Sequence, residues 1–116
     1  MNHYTLSKHL NELLQINKFR DYCPNGLQIE GISEINKIIT GVSLNEKLID
    51  VAINVNANAI IVHHGIFWNN EDPTITKIKK QRIAKLLKHD INLYGYHLPL
   101  DNHSELGNNV QLAKRL

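Results

Sequence analysis

Two short stretches of the chain gather side chains able to hold a metal ion or move a proton. One is His63-His64-Gly65; the other runs from His97 through Asp101 to His103. Imidazole and carboxylate together favour zinc, iron, manganese, nickel or cobalt over magnesium or calcium. Adjacent residues on a strand point to opposite faces, so a regular strand cannot aim both rings of the His pair at one ion. Either the chain turns sharply after Val62, helped by Gly65, or each ring serves a different ion of a close pair. A close pair suits a bridging carboxylate, because one Asp can offer an oxygen to each of two ions about 3.5–4 Å apart. Asp101 is the candidate, in a segment where Pro99 stiffens the backbone and removes one amide hydrogen. His97 has three roles open to it: a ligand, a partner orienting a ligand, or a proton shuttle working near neutral pH. The two non-ligand roles are favoured. Glu105 is a lesser candidate base, and His103 and Asn108 read as rim or helix-cap material.

A lone His-His pair more often closes a strand and hydrogen-bonds to nearby carbonyls. Position tips the balance here, because both His-bearing segments follow predicted strands. The spacing of Leu6, His9, Leu10, Leu13 and Leu14 predicts a helix capped by Thr5. Cys23-Pro24-Asn25-Gly26 then reads as a turn into a short strand with Leu27 and Ile29 alternating. Lys37–Val42 reads as a strand buried on both faces. Leu44, Leu48, Val51, Ala52 and Val55 recur at helical spacing, and Ala59–Val62 reads as a second buried strand. A helix from about Thr76 to His89 places Ile83, Leu86 and Leu87 inward. Ile91–Tyr96 is a further strand, followed by a polar loop from His97; a last helix begins near Asn109. Strand–helix–strand–helix–strand implies an α/β parallel sheet with right-handed crossovers. In such sheets functional groups collect at the carboxyl ends of the strands, which is where both His-rich segments fall.

Composition narrows the classes. A chain of 116 residues is enough for one domain, and 42% hydrophobic against 21% charged residues supports a packed core rather than disorder. The net charge of +2 is too balanced to imply nucleic acid or membrane binding by itself. The single Cys23 rules out an internal disulfide and a Cys-rich zinc module, and reads as a small buried residue. No run of about 18 apolar residues occurs, so a cytoplasmic protein with no membrane partner is expected. H-E-x-x-H, a Gly-rich phosphate loop and G-x-S-x-G are all absent, which removes the usual zinc-protease, nucleotide-loop and serine-hydrolase readings.

The remaining features each have a bland reading beside a sharper one. Phe67 and Trp68 follow the His pair and read first as core or subunit contacts, second as a surface for a planar substrate. Lys77, Lys79, Lys80, Arg82, Lys85 and Lys88 read as a solvated helix face, with phosphate or nucleic-acid attraction the minority reading. His3, His9 and His89 have no sequence companions.

Three blocks together resemble one family. Asp21-Tyr22-Cys23-Pro24-Asn25-Gly26-Leu27-Gln28 is similar to a D-x-x-x-N-G-L-Q segment of the YbgI-like, Nif-three-like family. Thr40-Gly41-Val42 with Ile61-Val62-His63-His64-Gly65 and Phe67-Trp68 resembles its second block. Tyr94-Gly95-Tyr96-His97-Leu98-Pro99-Leu100-Asp101, continuing through Glu105-Leu106-Gly107-Asn108-Asn109, resembles its third. Members carry the label GTP cyclohydrolase type-two homologue. The resemblance implies a dinuclear metal centre, a metal-dependent hydrolase acting on a purine nucleotide, and a toroidal homo-hexamer. It matches His63 and His64 to paired metal ligands, Asp101 to the bridging carboxylate and His97 to a residue lining the site. It also implies a chain about twice as long, whose far segment adds a His and a Glu spaced about one helical turn apart. Residues 1–116 are therefore expected to form a single N-terminal lobe, without those further ligands. The rival expectations are a non-catalytic oligomeric scaffold with a structural or vestigial metal, and an anion- or nucleic-acid-binding ring using the Lys77–Lys88 face.

Overall fold

Four strands build one mixed sheet in the order β1-β4-β3-β2, namely β1 Gly26–Ile29, β2 Ile38–Ser43, β3 Ala59–His64 and β4 Asn92–Gly95. The computed structural model describes residues 1–103. Strands β2, β3 and β4 run parallel, in keeping with the predicted α/β alternation. Strand β1 departs from the wholly parallel sheet: it pairs antiparallel with β4, Gly26 opposite Gly95. It enters at the far edge of the sheet from a loop, and no helical crossover links it to β4 to impose a parallel direction.

Helices α2 (Glu46–Asn54) and α3 (Lys77–Lys88) supply the two crossovers. They close a core of Ile49, Ala52, Ile60, Val62, Ile83, Leu86 and Leu93 on one face of the sheet. Each large aliphatic side chain among them, fully buried, stabilises the fold by about 1.5–3 kcal/mol. Helix α1 (His3–Leu13) covers the other face, where Leu6 and Leu14 pack with Tyr94 and Tyr96.

Several local expectations shift. Asn2, not Thr5, caps α1, its Oδ1 accepting from Tyr4 N at 2.8 Å and Thr5 N at 3.4 Å. The buried stripe is consequently His3, Leu6, Leu10 and Leu14, and His9 and Leu13 are exposed. His3 has companions after all: it is buried, its Nε2 lies 2.5 Å from Glu30 Oε2, and its ring stacks on Tyr4. Strand β2 is an edge, with residues alternating exposed and half-buried, and Val42 is 71% exposed. The face that carries Ile38, Thr40 and Val42 is left bare because α1 packs at the β1 end of the sheet. Val51 on α2, Val55 at its C-cap and Leu87 on α3 are exposed because the inward stripes are Ile49 with Ala52, and Ile83 with Leu86.

Asn92 is a polar group wholly inside. Its Oδ1 accepts from Gly31 N, and its Nδ2 donates to the carbonyls of Ile32 and Asn58, so every strong polar atom is matched. After β4, the segment read as a loop contains one helical turn, α4 (Leu98–Asp101), with Pro99 near its start where a missing N–H costs nothing. Among the described residues, no helix is long and apolar enough to cross a membrane. The helix expected from Asn109, and the candidates Glu105 and Asn108, lie outside the described residues.

Candidate metal centre

Because β3 and β4 are neighbours and parallel, their carboxyl ends open side by side, bringing His63-His64 close to His97. The chain does not turn after Val62, as one reading of the His pair requires. Strand β3 continues through His64, which pairs with Ser43 of β2 and whose carbonyl accepts from Leu44 N, just past that strand, at 2.8 Å. Pairing to β4 stops at Val62, so the two histidines project past that neighbour. Their ring centroids lie 4.4 Å apart, and the His97 ring lies 4.8 Å from that of His63 and 5.5 Å from that of His64. One donor nitrogen from each of the three sits within 4.8 Å of the others.

Each ring has a fixed partner. His63 Nε2 lies 2.9 Å from Asp101 Oδ1. His64 Nδ1 lies 3.0 Å from Ser43 Oγ, leaving Nε2 for the cluster. Burial, then the neighbouring His63 and His97, hold the pKa of His64 below its ordinary value, against a smaller upward pull from Asp101. His97 Nδ1 lies 2.8 Å from Asp21 Oδ1, which leaves its Nε2 for the cluster. Sequence alone favours non-ligand roles for His97; in space its ring is the third member of the imidazole group. His103 is half-buried at the end of the described residues.

Asp21 is the residue that sequence reasoning misses, although it heads the first motif block. Burial raises its pKa, but hydrogen bonds from His97, Leu98, Asn25 and Tyr22 outweigh that and lower it overall. Asn25, four residues on in sequence, donates to Asp21 and accepts from His97 N, so the two side chains clamp the start of α4. The usable signal is an acid and an amide four apart beside a turn, both types that bind backbone N–H groups.

Gln28 ties the loops beneath the cluster, its Oε1 accepting from Ile66 N and its Nε2 donating to Pro24 O, both at 3.0 Å. The space beside it is filled: a Cβ on Gly65 would lie 2.1 Å from Gln28 Oε1, and one on Gly95 2.7 Å from its Nε2, so a side chain at either position would displace the Gln28 amide. The two aromatics divide. Trp68 stands edge-on to His97 at 5.1 Å, whereas Phe67 packs on the core beneath the Lys79 ammonium. Elsewhere on α3, Lys85 pairs with Glu46 and Asp50, and Arg82 donates to the Leu44 carbonyl. A groove of about 620 Å³ along α1 shares no residue with the cluster.

Asp21, Cys23 and His97 also converge, and Cys23 is buried as expected. They make a poor ligand set. Both Asp21 oxygens already hold His97, Leu98, Asn25 and Tyr22, and burial with the nearby Asp21 charge pushes the thiol pKa up to about 11 in the metal-free fold. His63, His64 and His97 instead bring three imidazole nitrogens together, donors that suit a first-row divalent ion, and the Asp101 carboxylate stands against the ring of His63.

The sequence matches the family model described as Duf34/NIF3 (NGG1p interacting factor 3) over residues 1–116. It is 59% identical to a "GTP cyclohydrolase 1 type 2 homolog" of Haemophilus influenzae, covering all of this chain and 46% of that protein. It is 51% identical to the one of Escherichia coli K12, covering 47% of it. The chain thus spans about half the length of the curated relatives it matches. Among solved structures, "protein ybgI, unknown function" superposes with a TM-score of 0.96 at 51% identity, over 98% of this chain and 46% of that one. A Thermus thermophilus protein superposes at 0.92 with 39% identity, over 98% and 47%. The chain belongs to the Duf34/NIF3 family.

Proposed function

We propose that this chain carries the N-terminal share of a dinuclear metal centre in a metal-dependent hydrolase of the GTP cyclohydrolase type 2 homologue kind. The observation that carries this reading is the convergence of three imidazole nitrogens within 4.8 Å, with the Asp101 carboxylate against the ring of His63. His63, His64 and Asp101 would hold the ions, zinc, iron, manganese and nickel all suiting these donors. His97 Nε2 faces the same space as a further donor, and its lone pair can accept a proton when it is not coordinated. When bound, such ions supply Lewis acidity, lowering the pKa of water and polarising an electrophilic carbon or phosphorus. The protein's own residues hold the geometry: Ser43 and Asp21 orient His64 and His97, and Trp68 packs edge-on to His97.

A purine nucleotide is the proposed substrate class, supported by the name that the relatives carry. Assembly of several copies, a hexamer by resemblance, belongs to the same proposal. Among the described residues no strand pairs with the outer edge of β2, which supports association, since unpaired strand edges recruit partners.

Metal content by elemental analysis of gently purified protein, followed by a hydrolysis screen with nucleoside triphosphates, tests this reading. It expects bound transition metal and nucleotide turnover that a chelator abolishes. Protein free of metal, unable to take up zinc, manganese or iron on addition, would overturn it.

A further inference from the structure

The Asp21 carboxylate is saturated. Oδ1 accepts from Tyr22 N at 2.7 Å and lies 2.8 Å from His97 Nδ1; Oδ2 accepts from Leu98 N at 2.7 Å and Asn25 Nδ2 at 3.1 Å. A carboxylate has about four lone-pair sites, so all are used and none remains for a proton or a metal ion. The side chain is 2% exposed, so water does not compete for these positions. Facing an acceptor with no proton of its own, His97 Nδ1 must be the donor. Its neutral ring is then protonated at Nδ1 and bare at Nε2.

We infer that Asp21 is a positioning residue: it holds His97 in the Nδ1–H tautomer, so that the Nε2 lone pair is offered to the His63–His64 cluster. The inference rests on the metal-site reading above for its consequence, though not for its geometry. It also explains why the first sequence block and the third come together. Asp21 grips the ring of His97 and the amide of Leu98, while Asn25 Oδ1 accepts from His97 N at 2.8 Å.

In Asp21→Asn, the new NH₂ must face one of the two donor sets. On the Oδ2 side it meets Leu98 N–H and the Asn25 NH₂, two donors that cannot withdraw. On the Oδ1 side it meets Tyr22 N–H and His97, and the histidine can answer by moving its proton to Nε2. The second arrangement leaves fewer donors opposed, so the substitution should invert the tautomer and present an N–H to the cluster. A similar wrong-tautomer effect follows amide substitution of the catalytic-triad aspartate in serine proteases.

The test uses ¹⁵N-histidine-labelled full chain, with long-range ¹H–¹⁵N spectra of the metal-free protein and zinc titrations of the same samples. Wild type is expected to show His97 protonated at Nδ1, and Asp21→Asn at Nε2, with an otherwise unchanged amide spectrum. Zinc affinity should fall about 10- to 100-fold, the usual cost of losing a ligand's orienting partner. In a His97→Gln background, Asp21→Asn should lower it no further, which a merely structural role would not produce. An Nε2–H ring in wild type, an Nδ1–H ring in Asp21→Asn, or equal zinc affinity in the two would overturn the inference. Wild type that binds no zinc would sink the metal-site reading instead, and the metal-free spectra would still decide the role of Asp21.

Discussion

His63 Nε2 stands 2.9 Å from Asp101 Oδ1, joining the carboxyl end of β3 to the single turn of α4 across 38 residues of chain. Both side chains are largely sheltered, at 13% and 24% exposure. Two donors each about 2.0–2.2 Å from one ion stand about 2.8–3.1 Å apart at a right angle, as in octahedral coordination, and about 3.3–3.6 Å apart at a tetrahedral angle. The spacing of this hydrogen bond is close to that of two ligands at a right angle about one ion.

That relationship makes Asp101→Ala informative. Removing the carboxylate deprives the site of its anionic donor but leaves β3 and the imidazoles in place. Zinc affinity, measured by competition with a chromophoric chelator, is expected to drop about tenfold or more. Thermal stability of the metal-free protein should change little by comparison. Unaltered affinity and stoichiometry would remove Asp101 from the ligand set.

Trp68 gives a direct optical report. It is the sole tryptophan of the chain, and its ring centroid lies 5.1 Å from that of His97 and 5.8 Å from that of His64. Cobalt or copper bound by these histidines would quench an indole at such range. Titration with cobalt should quench Trp68 emission saturably, with reversal by a chelator and a weaker midpoint in His64→Ala. Linear, chelator-insensitive quenching would mean collision in solution rather than binding at the cluster.

Much of this arrangement is legible in the sequence, and what is not has identifiable causes. Strands β3 and β4 announce themselves because short apolar runs that stop at His or Gly are what strands buried on both faces look like. Their adjacency follows from a single crossover, and adjacency is what joins His63-His64 to His97. Strand β2 misleads because Ile38, Ile39 and Val42 are β-branched and apolar whether or not anything covers them; sequence pattern reports propensity, and an uncovered sheet face is a tertiary fact. The antiparallel entry of β1 is hidden for a related reason, since strand direction depends on where the loop from Arg20 to Asn25 places the chain. Asp21 is visible as a motif residue but not as a partner of His97, because the contact spans 76 residues. Long-range hydrogen bonds leave no periodicity to read.

Glycines 31 and 41 separate two kinds of tight contact. A Cβ on Gly31 would lie 2.4 Å from the Asp90 carbonyl oxygen and 2.7 Å from the Ile91 carbonyl carbon, all backbone. The same loop is pinned by Gly31 N donating to Asn92 and Ile32 N donating to Asp90 O. On Gly41 the added atom would meet the Leu48 methyls, the flexible end of a half-buried side chain. Gly31→Ala should therefore cost about 1–3 kcal/mol in urea unfolding, and Gly41→Ala distinctly less. Equal costs, or a neutral Gly31→Ala, would show that the loop yields more easily than its contacts imply.

Acidification should weaken the metal-free fold through His64. Burial is the main force depressing its pKa, and the adjacent His63 and His97 add to it. The unfolded chain, with an ordinary histidine near 6.5, then takes up a proton before the folded one does. Stability rises with pH wherever the unfolded state holds more protons, so this contribution is complete above about 6.5 and is lost as pH falls through the lowered folded value. Melting temperatures of chelator-treated protein should decline from pH 7.5 towards pH 5, and His64→Gln should decline less steeply over that window. Zinc-loaded protein should hold its melting temperature to lower pH, because a coordinated imidazole resists protonation, and then lose it abruptly as protons displace the ion. Parallel declines in wild type and His64→Gln would assign the acid sensitivity to other groups and leave His64 without this role.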